Sequence, residues 1–197
     1  MDSGYKQKKK FRISTERTVY TYAEIWRASY WTKDKAEKET EGSYFQIMAS
    51  LVFTAFAFEA YLNHLGEKTF SCWDDLESLS PKKKLNVIAE KLKIELNYGE
   101  RPFQTINELF EFRNDIAHGK TVILKSETII NDKVGNEDKY LHNFIEPNWE
   151  KYCTLENITR ARRDIESVMR SLHNVSAIKD EPLFNTGYQA GSAQLIE

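Results

Sequence analysis

The stretch EFRNDIAHGK, residues 111–120, brings Arg113, Asn114 and His118 together within a short run of chain. An arginine stays charged and offers a planar fork of donors that suits phosphate, whereas histidine, with an ordinary pKa of ~6.5, takes or gives a proton near neutral pH. Phe103, Ile106, Phe110, Arg113 and Ala117 recur at steps of three and four, so Arg113 sits in the line of residues that should face a core. A guanidinium in that line needs acceptors. Asn114 and His118 are four apart on a neighbouring face, where the amide can steer the imidazole. Gly119 follows as a natural residue to end the helix, which puts His118 in the last turn, where the dipole favours a cation. Two accounts therefore stand side by side. Either Arg113 snorkels and His118 caps a dipole, or Arg113, Asn114 and His118 line a catalytic cleft.

The elements that must position these residues are mostly helical by their periodicity. TYAE at 21–24 reads as a capping box, Thr21 accepting from the backbone and Glu24 reaching back, with a helix to about Glu39. SYFQIMASLVFTAFAFEAYLNHLGE, from Ser43, is apolar nearly all round, the pattern of a membrane span or of a bundle's central helix. The polar row Gln46, Ser50 and Thr54, a second row of Glu59 and Asn63, and the absence of a second comparable run favour the bundle. A carboxylate on so apolar a helix must find a partner, so Glu59, with Asn63, is a candidate to support the site or to make a structural hydrogen bond.

In SPKKKLNVIAEKLKIEL, Ser80 caps, Pro81 takes the first helical position, and Leu85, Ile88, Ala89 and Leu92 form the stripe. Lys82, Lys83 and Lys84 oppose the dipole there; with Lys120 they are candidate RNA-binding residues, although exposed lysines are also ordinary surface. The motif helix runs from near Pro102 to Gly119. Residues 120–150 read as a loop with a short hairpin, and TLENITRARRDIESVMRSLHNV, from Thr154, as a helix with Ile158, Ala161, Ile165, Val168, Met169 and Leu172 inward.

At 197 residues, one domain with extensions is expected: a basic N-terminal arm (1–20), a helical domain (21–177) and an extended tail (178–197). A net charge of −2 hides local basic clusters, one at Lys6, Lys8, Lys9, Lys10 and Arg12 and another at Arg160, Arg162 and Arg163, whose plain reading is solvated surface. Two cysteines and no apolar leader fit a reducing, cytoplasmic setting. The four histidines lack metal-ligand spacing, so no metal or other cofactor is expected.

RNDIAH matches the Arg-x4-His motif of the HEPN domains (higher eukaryotes and prokaryotes nucleotide-binding), with Asn114 at the polar position beside the arginine. LVFTAFAFEAYLNHL resembles the apolar helix that precedes that motif. The resemblance covers residues 43–120 well and 154–173 loosely. It implies an all-α, antiparallel bundle of four to five helices that dimerises with its motifs facing one another, and in many members a metal-independent endoribonuclease. It also allows a toxin or antiviral effector with an antitoxin or sensor partner. On this expectation Arg113, Asn114 and His118 act on RNA in a site composed of two chains. The alternative is a non-catalytic HEPN module for dimerisation or for binding a nucleotide or RNA.

Overall fold

The computed structural model describes residues 9–127, 129, 131 and 145–196. In chain order these form β1 (Lys10–Val19), α1 (Thr21–Lys38), α2 (Ser43–Thr69), α3 (Trp73–Leu76), α4 (Pro81–Leu92), α5 (Phe103–Ala117), α6 (Asn148–Tyr152), α7 (Leu155–Asn174) and β2 (Gly187–Ile196).

Helix α2 is the axis of the bundle, and its all-round apolarity follows from being covered on several sides, by α1, α4, α5 and α7. Leu51, Ala55, Phe58, Tyr61, Leu62 and Leu65 are buried along it, and the Tyr61 hydroxyl donates to the Met169 carbonyl of α7 at 3.2 Å. Two polar residues within this apolar run are satisfied against α1. Ser50 and Thr54 meet the buried Ser29 of α1: Ser29 Oγ lies 2.6 Å from Thr54 Oγ1, and Ser50 Oγ donates to the Ser29 carbonyl at 2.6 Å. Small hydroxyls let the two helix backbones approach while keeping every buried O–H bonded. Gln46 of the same row stays half-exposed.

The inward row of α7 is as its spacing predicts, all six residues being buried, and Thr154 caps the helix by accepting from Asn157 N–H at 3.1 Å. Two other caps differ from expectation. Helix α1 begins with Thr21 already helical, Tyr20 capping through its carbonyl, and Glu24 turned to Arg27 at 3.3 Å, so there is no capping box. Ser80 stands at the cap of α4 without a side-chain bond, and Pro81 occupies the first helical position as predicted.

The expectation of an all-α fold is corrected. β1 and β2 pair antiparallel over ten residues each, from Lys10 opposite Ile196 to Val19 opposite Gly187, so the fold is a helical bundle carrying a two-stranded ribbon. The stretches read as a basic arm and a polar tail each lack a hydrophobic run of their own, and the strand that completes each lies at the other end of the sequence. Gly187 makes the root of the ribbon: its φ is +114°, and a Cβ there would overlap the Thr18 carbonyl oxygen. Most of the hairpin expected within 120–150 falls outside the described residues; the described part of 120–147 has no regular structure.

Candidate functional site

Helix α5 presents Arg113 toward α2 and α4. The apolar line that contains it is buried at Ile106 and Phe110, half-buried at Arg113 and exposed at Ala117, so the arginine stands where the core gives way to the surface. Its Nη2 donates to Glu59 Oε2 at 2.7 Å and its Nη1 to Asn114 Oδ1 at 3.0 Å, while the guanidinium lies over the Phe56 ring, 5.5 Å from its centre. The buried Nε has no partner among the described residues. Glu59 is also approached by Lys84, whose Nζ lies 3.7 Å from Oε1. The side chains of Arg113 and Glu59 are 20% and 22% exposed and that of Lys84 only 4%, so one carboxylate, half-shielded from water, faces two cations. The cluster therefore keeps one unit of positive charge that no described carboxylate answers.

His118 caps the C-terminus of α5. Its backbone N–H donates to the Asn114 carbonyl at 2.9 Å and its ring is exposed. Gly119 does not take a left-handed conformation, but a Cβ there would sit 2.9 Å from the Asp115 carbonyl oxygen, so the close exit past the helix end still requires glycine. Asn114 is thus shared: its side chain receives Arg113 and its carbonyl anchors His118.

Other sequence candidates are dispersed. Asn63 lines a separate cleft of about 500 Å³ with His64, Trp73 and Glu67, and its Oδ1 has no partner among the described residues. His64, packed between the Tyr20 and Tyr22 rings, has its pKa lowered by burial and by nearby Lys68. The three lysines of α4 part company: Lys82 lies over the Tyr98 ring at 4.3 Å, Lys83 is exposed, and Lys84 is buried beside Glu59. Lys120 is exposed, just past the motif.

The basic cluster of α7 is built into the fold. Arg160 donates to Glu108 at 2.6 Å, Arg162 donates to the Trp26 carbonyl and stacks on that ring, and Arg163 lies 3.6 Å from Asp164. Asp164, by contrast, has no signal in the sequence. It accepts from Arg101 Nε and Nη2, each at 2.7 Å, and from Thr105 Oγ1 at 2.6 Å, tying the start of α5 to the middle of α7. Burial alone would raise its carboxyl; the bonds from Arg101 and Thr105 outweigh that and hold it below the usual carboxylate range. An acidic residue in the polar stretch of a periodic helix carries no local sign of such a partner.

No family model matches the chain, and no curated protein or solved structure matches it.

Proposed function

We propose that this chain is a metal-independent endoribonuclease of the HEPN type that works as a homodimer, with Arg113 and His118 of two copies sharing one substrate. The observation that carries the reading is the division of labour on α5: Arg113 is oriented from within by Glu59 and Asn114, while His118, close by on the same helix, is exposed. In the reaction the 2′-hydroxyl of RNA attacks the adjacent phosphorus. The O2′–P bond forms, the P–O5′ bond breaks, one histidine takes the 2′-hydroxyl proton, and the histidine of the other copy gives a proton to O5′. The products are a 2′,3′-cyclic phosphate and a 5′-hydroxyl. Arg113 and the unanswered positive charge of its cluster stabilise the phosphorane. Two copies are required because each chain has one exposed histidine at the motif, and a two-fold axis supplies the second. A role as a toxin or antiviral effector, held in check by an antitoxin or sensor, fits such an activity.

The test is cleavage of mixed single-stranded RNAs by the purified protein in EDTA, followed by end-group analysis. Cleavage with cyclic phosphate ends that His118→Ala abolishes is the expected result; no cleavage by the wild type, or equal cleavage by His118→Ala, overturns it. One observation favours a second reading, a non-catalytic module that binds RNA or a nucleotide. Arg113 already holds a carboxylate of its own chain, and the cleft at Asn63 is lined by none of Arg113, Asn114 and His118. Under that reading the wild type binds RNA without cutting it, and Arg113→Ala weakens binding.

A further inference from the structure

The ribbon is the part of the molecule that the bundle leaves unexplained. A backbone bond from Tyr20 N–H to the Thr186 carbonyl, at 3.4 Å, ties its root to the bundle. Beyond the root, every residue from Lys10 to Arg17 and from Tyr188 to Ile196 is exposed. Two strands alone are marginal in water, and each here has one edge without a neighbouring strand among the described residues.

The two edges differ. β2 carries no charge from Gly187 to Ile196, whereas β1 carries Lys10, Arg12, Glu16 and Arg17. Within the ribbon these charges go unanswered: Arg12 stands opposite Gln194, Glu16 opposite Ala190 and Arg17 opposite Gln189, and none forms an ion pair among the described residues.

We propose that β1 pairs antiparallel with β1 of a second copy about a two-fold axis at Ser14, making a four-stranded sheet with β1 strands at its centre. In that register Arg12 faces Glu16 of the second copy twice over, once on each side of the axis. Phe11 faces Arg17, a cation over a ring, and Ile13 faces Thr15. All of β1 except Val19 finds a partner, and the one acidic residue of the strand meets an arginine. A sequence that complements itself under reversal is what an isologous edge requires, and β2 has no charge with which to specify such a register. The interface is short compared with the ~20–30 residues per side of a standard complex, so the sheet forms with a concentration-dependent affinity unless another contact joins the same two copies.

Cross-linking tests the register directly and does not rest on the nuclease reading. Cys72 is an exposed free thiol and Cys153 a buried one, so Cys72→Ser gives a quiet background. In it, Ser14→Cys treated with a short bismaleimide is expected to give a covalent dimer, whereas Ser192→Cys, on the outer strand of the proposed sheet, is not. Arg12→Glu or Glu16→Arg alone should lower the cross-linked fraction of the Ser14→Cys protein about tenfold, and the two together should restore it. No dimer with Ser14→Cys, a dimer with Ser192→Cys instead, or a double reversal no better than either single one overturns the proposal. The gel reads the contact whether or not the protein cuts RNA, so this failure and failure of the nuclease reading are separate events.

Discussion

Asp164 and Glu59 each hold an arginine that is distant in sequence, yet the two carboxylates are used in opposite ways. Asp164 is buried and saturated: Arg101 grips both of its oxygens and Thr105 adds a third bond, while its second cation, Arg163 at 3.6 Å, is mostly in water. Glu59 is half-exposed, with Arg113 on one oxygen and the buried Lys84 near the other. A closed arrangement whose second cation is screened by water fixes two elements to each other, whereas one whose second cation is buried keeps an arginine in place and leaves it able to bind something more.

The comparison can be broken at either end. The largest expected effect is on chemistry: Arg113→Ala should lower RNA cleavage by ~10²–10³-fold, as loss of one charge-stabilising donor does. It should hardly move the melting temperature, because Lys84 still answers Glu59. Asp164→Ala should do the reverse, costing ~2–3 kcal/mol in urea unfolding by stranding Thr105 and releasing Arg101, with little loss of cleavage per folded molecule. Glu59→Gln falls between, at ~1–2 kcal/mol, because it leaves the buried Lys84 ammonium beside Arg113 without a counter-ion. Adding Lys84→Met should recover most of that loss, which a double-mutant cycle measures.

Acid should remove stability in two stages. His64 has a folded pKa below its ordinary value of 6.5, so the unfolded chain binds its proton first; that contribution is whole above pH 6.5 and is lost as the pH falls toward the folded value. Asp164, also depressed, keeps its contribution above about pH 3.8 and loses it below. Melting temperatures of His64→Gln should therefore be flatter just below pH 6.5 and unchanged in slope below pH 3.8. The smallest effect is Thr105→Val, ~1 kcal/mol, from loss of a single hydroxyl bond to Asp164.

What was legible in the sequence was periodic or anomalous. The inward row of α7 and the core character of α2 follow from spacing, and Arg113 stood out because it broke an apolar line. Glu59 stood out for the same reason, and each is the other's partner. Lys84 stood out only as one of three candidate RNA-binding lysines and not as a partner of Glu59, because a lysine among lysines at a helix start looks like surface until the helix is docked. Asp164, and the pairing of β1 with β2, depend on residues far along the chain. β1 does alternate, with Phe11, Ile13 and Val19 on one side, but its charges disguised it as an arm.

The ribbon also sets an order of assembly. Its strands come from opposite ends of the described chain, so closing them in an unfolded molecule would cost the entropy of a very large loop. The bundle removes that cost by bringing Tyr20 to Thr186, after which pairing closes outward from Val19 and Gly187 toward Lys10 and Ile196. The strands therefore form last and open first. Amide exchange should slow along β1 from Lys10 to Val19, a gradient that records the direction in which the ribbon zips.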